Sequence, residues 1–404
     1  MASRIYFDHS ATTPLDPRVR AAMDPYLDGW YGNPSSLHQE GREARNAVEK
    51  ARAHVAALIG AEPSEIIFTA SGTEADNLAL VGAIRARGGP SHLITSAIEH
   101  AAVLETCHFL ERTGTQVAYL PINADGQVDP SSLLRALRSE TRLVSIMTAN
   151  NVVGTLQPIA ELAQIAARHG CLFHTDAVQA IGKIPMNVRG LGVDLLSLSA
   201  HKLHGPKGVG ALYVRRGVCL DPIMFGGGQE RGLRSATENV AGIVGLGVAA
   251  ALAREEMAAE AARLAGLRER ILQELRQSVP HACLIGHPQK RLPGHLCLGF
   301  AGQEGEMPNL VQALDEAGVA VSAGSACSSG HVGATEKILD AMGFDSERAR
   351  GLLRVTLGRF NTDSEVERFL HILPQAVASL PSIPGKIGIR TSNRDLVLSA
   401  ERWA

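Results

Sequence analysis

Short apolar runs alternate with amphipathic stretches from about residue 42 to residue 250. The segments "EIIFTA", "HLITS", "QVAYLP", "LVSIMTA", "CLFHTDA", "VDLLSLS" and "GALYV" have the length and aliphatic or β-branched character of strands. Between them, "AVEKARAHVAALIG", "EADNLALVGAIRAR", "VLETCHFLERTG", "SLLRALRS" and "AELAQIAARHG" place apolar residues at helical spacing. Strands apolar over nearly their whole length are buried on both faces. The pattern therefore predicts an α/β domain with a mostly parallel sheet between helices. An Ala-, Glu-, Arg- and Leu-rich run from Val248 to Val279 predicts one long helix leading into a second domain. Ahead of it, "NVAGIVGLGVAAALA" is too short and too broken by glycine to cross a bilayer, and reads as a buried helix.

Composition narrows the function more than the fold. The 404 residues are 45% hydrophobic and 20% charged, with a formal net charge of −2. That balance offers no basic footprint for nucleic acid. The opening "MASRIYFDHSATTPLDP" lacks the apolar core of a secretory signal. The six cysteines show no CxxC or metal-like spacing, so they are expected as reduced thiols in a cytoplasmic protein. Of 39 basic residues only seven are lysine, and two of those, Lys202 and Lys207, fall in "SLSAHKLHGPKGVGALYV". This segment joins two buried strands. Arginine keeps its proton in a protein, whereas a desolvated lysine can lose it and attack a carbonyl.

Two further strand ends carry chemistry. In "EIIFTASGTEADNLAL" a strand turns through Gly72 and Thr73 into a helix, whose free N–H groups suit a phosphate. A plain turn with Thr73 as N-cap is the alternative reading. In "CLFHTDAVQAIGK" an apolar strand ends at Asp176, with Gln179 three residues on. Asp176 could be a helix cap or the partner of a protonated ring nitrogen. A phosphate cradle, an acid for a heterocycle and an imine-forming lysine together are what pyridoxal 5'-phosphate requires. No nucleotide fingerprint, GxxxxGK[ST] or GxGxxG, competes. The segment "VAVSAGSACSSGHVGATEK" adds Cys327 in a run of Ser, Gly and Ala. Such a run buries little, and is expected to be a mobile loop with an accessible thiol. The other cysteines, Cys107, Cys171, Cys219, Cys283 and Cys297, are expected to be buried and inert.

With these residues in view, the chain resembles the cysteine desulfurases among fold-type I pyridoxal-phosphate enzymes, in the branch that feeds iron–sulfur cluster assembly. The resemblance runs from about Ile5 to Arg359 through "DHSATTP", "GNPSSLH", "TASGTEADN", "IEHAAV", "HTDAVQ", "SAHKLHGPKG", "GGGQERGLRSAT", "SAGSACSS" and "LRVTLGRF". It implies a large cofactor-binding domain over residues 16–255 and a small α+β domain over 256–380 carrying the Cys327 loop. An N-terminal segment, 1–15, would pack with the small domain, and 381–404 would form an arm.

By the same resemblance Lys202 binds the cofactor covalently, and Lys207 is structural. Thr73, Ser199 and His201 hold the phosphate with the Gly72 turn, and Thr237 reaches the phosphate of the other subunit in a homodimer. Asp176 pairs the ring nitrogen, Gln179 the phenolic oxygen, and His100 stacks on the ring and moves protons. Asn151 and Arg354 hold the carboxylate of L-cysteine, while His9 and His204 are structural. The implied products are L-alanine and a persulfide on Cys327, passed to an acceptor such as an iron–sulfur scaffold or a tRNA-thiolation protein. A selenocysteine lyase on the same fold is the alternative. Two features depart from the family pattern. Val152 in "NNVVG" stands where an acidic residue is common, and the C-terminal tail lacks the usual scaffold-docking ending.

Overall fold

The structure, a computed structural model, describes residues 4–381 except 304, 324–333 and 345–350. Its strands are β1 (Ile5–Tyr6), β2 (Ile66–Thr69), β3 (His92–Ser96), β4 (Gln116–Leu120), β5 (Thr141–Ser145), β6 (Leu172–Asp176), β7 (Leu195–Ser199), β8 (Gly210–Val214), β9 (Ala282–Leu284), β10 (His295–Phe300), β11 (Val319–Ala320), β12 (Ser322–Ala323) and β13 (Leu352–Thr356). The α-helices are α1 (Pro17–Met23), α2 (Gln39–Ile59), α3 (Gly72–Arg87), α4 (Ala101–Arg112), α5 (Pro130–Ala136), α6 (Ile159–Arg168), α7 (Val188–Leu191), α8 (Val240–Ser278), α9 (Met307–Glu316), α10 (Ala334–Ala341) and α11 (Asp363–Ala378).

Seven strands form the large sheet in the order β2-β8-β7-β6-β5-β3-β4. Neighbours from β7 through β4 are parallel, and β8 runs antiparallel between β7 and β2. Adjacent strand residues feed opposite cores, as the two-residue period requires. Leu93, Leu143, Leu195 and Leu212 pack under α3 and α4. Ile94, Val144, Leu196 and Tyr213 pack on the other face with residues of α2, α6 and α8. Burial on both faces explains why these strands read as continuous apolar runs. All five residues of β7 are buried, including its two serines.

A second, antiparallel sheet has the order β12-β13-β10-β9. In β13 the alternation splits function from packing. Leu353 and Val355 enter a core with Leu310 and Phe369, while Arg354 between them points the other way and is 1% exposed. The N-terminal strand β1 pairs in parallel with β11, and Asp8 bridges to Thr356 at the end of β13.

Helix α8 starts earlier than the composition suggested. The glycine-broken run and the charged run are one helix of 39 residues. The glycines serve packing: a Cβ on Gly247 would lie 2.5 Å from the Ala51 Cα in α2, so only glycine lets these helices approach. The first half of α8 belongs to the core of the large sheet and its last turns to that of the small one.

A buried ion pair fixes the strand leading to the Gly72 turn. Glu230 accepts from Arg52 Nη2 at 2.7 Å, from Arg52 Nη1 at 2.8 Å and from the Phe68 amide at 2.7 Å. Both side chains are nearly solvent-free, at 7% and 3% exposure. Removing one partner strands the other charge, so Glu230→Ala should lower the unfolding free energy by about 3–5 kcal/mol in urea titrations. A loss below about 1 kcal/mol would show that water replaces the carboxylate.

Candidate active site

A cavity of ≈ 300 Å³ opens where the carboxyl ends of the central strands meet the face of β13. Five structural units deliver its residues. Strand β6 ends in Asp176, and β7 ends in Ser199 and runs into the short turn Ala200–Lys202. The first turn of α3 brings Gly72 and Thr73, with Ser71 as N-cap accepting from Glu74 N at 3.0 Å. His100 caps α4, and Arg354 arrives from the small sheet. Asn151, Gln179 and His201 also line it, with Ser10, Ala11 and Asp76.

The cavity residues hold each other in specific orientations. Lys202 Nζ donates to the Ser10 carbonyl and, at 2.8 Å, to that of Ala11. The Gln179 amide donates to Ser10 O at 2.9 Å. His201 Nδ1 lies 3.1 Å from Thr12 Oγ1. Thr13 Oγ1 donates to the His201 carbonyl at 2.9 Å and accepts from His204 N at 2.8 Å. Arg354 donates through Nη2 to Asp8 at 2.9 Å and through Nη1 to the Asn151 carbonyl at 3.1 Å. The preceding Asn150 does the structural work of the pair: its side chain caps the Val152 and Val153 amides at 2.8 and 2.9 Å. That leaves Asn151 to face the cavity.

Charge is arranged by burial. Asp176 is 6% exposed and accepts from Val178 N at 2.9 Å. Desolvation raises its pKa, opposed by His100 and Lys202. Asp76, on the inner face of α3, is raised further by burial and by Asp176, and its Oδ1 has no hydrogen-bond partner. Burial pushes Glu99 up to about 8. Burial thus favours the neutral form of all three neighbouring carboxyls, and of them only Asp176 has cations, His100 and Lys202, drawing it back toward ionisation. His100 accepts from Ala102 N at 3.1 Å through Nδ1, so a neutral ring carries its proton on Nε2. Desolvation lowers its pKa, Asp176 draws it back up and Lys202 adds a further downward push. Burial brings His201 down to about 4, keeping it a neutral donor or acceptor.

The sequence expectations divide here. Gly72, Thr73, His100, Asn151, Asp176, Gln179, Ser199, His201, Lys202 and Arg354 line one cavity. Lys207 is exposed outside it, while His9 and His204 are buried with ring centroids 5.8 Å apart. Thr237 lies exposed in the loop before α8, away from this cavity. Cys327 falls outside the described residues, as does the arm beyond residue 381. Cys107, Cys171 and Cys297 are buried, but Cys283 is only partly covered and Cys219 is exposed, correcting the expectation for both. Cys219 lies in the loop after β8, exposed between Val218 and Leu220, which themselves pack against the core under α3. Val152 is 4% exposed among Ile98, Ile285, Ile338 and Met342, an environment that would penalise a carboxylate.

Four participants were missed: the Ser10 and Ala11 carbonyls, Asp8 and Asp76. Backbone acceptors leave no mark in composition. Asp76 left a weak one, as a carboxylate on the apolar stripe of "EADNLAL".

The site fits pyridoxal 5'-phosphate. The amides of Gly72 and Thr73 have no internal partner among the described residues, and a Cβ on Gly72 would strike Val178 Cγ2 at 2.6 Å, so the cradle requires glycine. Asp176 accepts from the Val178 amide and is drawn toward its charged form by His100 and Lys202, as a partner for a ring N–H requires.

Comparison with known proteins decides the family. The aminotransferase class-V profile matches residues 5–369. A cysteine desulfurase IscS of Dictyoglomus turgidum is 47% identical over 386 residues, covering 95% of this chain and 97% of the relative. The chain belongs to the class-V aminotransferases. A cysteine desulfurase of Rattus norvegicus is 46% identical over 90% of the chain and 80% of the relative. Among solved structures, a NifS-like protein aligns with a TM-score of 0.87 at 41% identity, covering 93% of this chain and 100% of that one. SspA in complex with cysteine aligns at 0.77 with 36% identity, over 89% and 100%. The enzyme is a cysteine desulfurase dependent on pyridoxal 5'-phosphate.

One consequence of the buried acids is measurable. The folded desulfurase holds Glu99 at about 8 against an ordinary 4.5. Folding therefore takes up a proton between those values, and stability falls as pH rises through that window. Glu99→Gln cannot titrate. Its unfolding free energy relative to wild type should rise from pH 5 to pH 8, by at most about 1.4 kcal/mol per unit. A difference flat across that range in urea titrations would refute the assignment.

Proposed function

We propose that the desulfurase moves the sulfur of L-cysteine to Cys327 as a persulfide, with Lys202, His100 and Asp176 acting at the cofactor and Asn151 and Arg354 holding the substrate. The observation that carries this reading is the convergence of Lys202, Asp176 and Arg354 on one cavity, from two different sheets.

When bound, pyridoxal phosphate supplies the electron sink that acidifies the substrate's α-proton. The chain supplies the remaining groups. The amides of Gly72 and Thr73, with Thr73, Ser199 and His201, bind the phosphate. Asp176, charged once a cation faces it, holds the proton on the ring nitrogen. Gln179 directs its amide to the phenolic oxygen. Arg354 offers a planar fork to the substrate carboxylate, already oriented by Asp8 and by the backbone of Asn151. With the cofactor held, the Lys202 amine would take the α-proton, and His100, with its proton on Nε2, would move a further one.

Sulfur transfer balances without an outside oxidant. The Cys327 thiolate attacks the substrate sulfur, an S–S bond forms and the C–S bond breaks. The electron pair stays with carbon, takes a proton, and L-alanine leaves. Ala323 ends β12, whose Ser322 pairs with Arg354. Cys327 follows Ala323 by four residues, a separation of at most ~14 Å, which supports its assignment as the acceptor for a substrate on Arg354.

The persulfide would then pass to an acceptor protein, an iron–sulfur scaffold foremost. The active unit would be a homodimer in which Thr237 completes the partner's phosphate site. Exposed Leu27, Trp30, Tyr31 and Leu37, close together in sequence, support a surface covered in a dimer. Free thiols at Cys107, Cys171 and Cys297 support a reducing, cytoplasmic location.

Borohydride reduction should fix a pyridoxyl group on Lys202, and Lys202→Ala should abolish alanine release; a label on Lys207 would overturn the assignment. Cys327→Ser should still change colour with L-cysteine but lose nearly all alanine release and form no persulfide by mass spectrometry. Retention of substantial activity would move the acceptor role to another cysteine. Light scattering should report a dimer, and a fully active monomer would exclude the shared phosphate site.

A further inference from the structure

Lys183 is the one lysine near the site to which the sequence assigned no task. It follows a turn closed by Ala180 and ended by Gly182 at φ +71°, which returns its side chain toward Gln179. Lys183 Nζ donates to Gln179 Oε1 at 3.2 Å, while Gln179 Nε2 donates to the Ser10 carbonyl at 2.9 Å. An ammonium only donates and a carbonyl only accepts, so the two contacts independently set which end of the Gln179 amide is oxygen. With Oε1 turned to Lys183, the end of Gln179 that remains available to the cavity is an N–H.

The surroundings of Lys183 argue against a purely stabilising role. Among the described residues it has no ion pair, and its neighbours in charge are Lys202 and Arg354. His9, His201, His204 and His295 face it as well, and its charge helps keep each of them neutral. Glu260 lines the same small cavity of ≈ 60 Å³ but is paired with Arg263. A desolvated cation among cations costs stability, and such arrangements are found where a site needs the charge.

We infer that Lys183 is a positioning residue: it holds Gln179 as a hydrogen-bond donor toward the cofactor's phenolic oxygen, and its charge weakens proton binding at the Lys202–cofactor linkage. The inference rests on the assignment of Gln179 to that oxygen. Both effects have one sign. A donor at the phenolic oxygen stabilises its anionic form, and a nearby cation disfavours a second positive charge. Burial and the two neighbouring cations bring Lys183 itself down to about 7, so its proton and that of the linkage compete.

The test is a pH titration of the bound cofactor's visible absorption in holoenzymes. Lys183→Met should raise the midpoint by about one unit, a tenfold change in proton affinity, and the apoprotein should melt no lower than wild type. Lys183→Arg should restore the wild-type midpoint, and Gln179→Leu should raise it as Lys183→Met does. An unchanged midpoint in Lys183→Met with a shifted one in Gln179→Leu would overturn the role of Lys183 and leave Gln179 in place. Unchanged midpoints in both would overturn the Gln179 assignment and this inference with it. Should Lys183→Met fail to retain cofactor, Lys183→Gln is judged by the same midpoint.

Discussion

The site depends on how a half-buried lysine finds acceptors. Lys202 sits at the end of a fully buried strand, where an unpaired ammonium is costly. Its acceptors are the carbonyls of Ser10 and Ala11, from a segment nearly 200 positions away in sequence. That segment is held at both ends. β1 pairs with β11, Asp8 reaches Arg354, and Thr13 bonds on both sides of the Lys202 turn. One stretch of about six residues thus joins the large sheet, the small sheet and the lysine, and any shift in it would move all three.

Around this clamp the enzyme uses burial to set charge. Asp76, Glu99 and Asp176 lie close together in a region where three carboxylates could not all ionise. His174, beneath them, is fully buried between Ser145 and Ser197 and is pushed down to about 3, so it supplies no positive charge. The cavity sets Asp176 beside Lys202, and β13 adds Arg354 as a second cation, a polarity suited to a zwitterionic amino acid and an anionic cofactor.

Division between two sheets also matters for sulfur transfer. Arg354 is anchored in β13, and its neighbour β12 leads into the Cys327 segment. The cavity groups thus divide between the sheets: Arg354 comes from the small one, and Asp176 and Lys202 from the strand ends of the large one. Burial of Val152 with Ile338 and Met342 links the Asn151 turn to α10, which follows that segment.

Much of this was legible in the chain. Apolar strand runs ending in Asp176 and Ser199, the Gly72 turn and the rarity of lysine at Lys202 point to the sheet and to the chemistry at its carboxyl edge, because local pattern sets which residues end a buried strand. Cys219 shows the limit: a cysteine's burial depends on the loop it occupies, which residue type does not report. Asp8 and the Ser10 carbonyl were invisible, and Asp76 only faintly marked, for a related reason, since their roles arise from contacts between distant segments and, for Ser10, from backbone atoms every residue shares. Residue identity along the chain determined which chemical groups the protein possesses and the strand ends that present them. Tertiary structure alone decided which groups share a dielectric environment and a hydrogen bond, and so which carboxyl ionises, which end of Gln179 donates and how Lys202 is held.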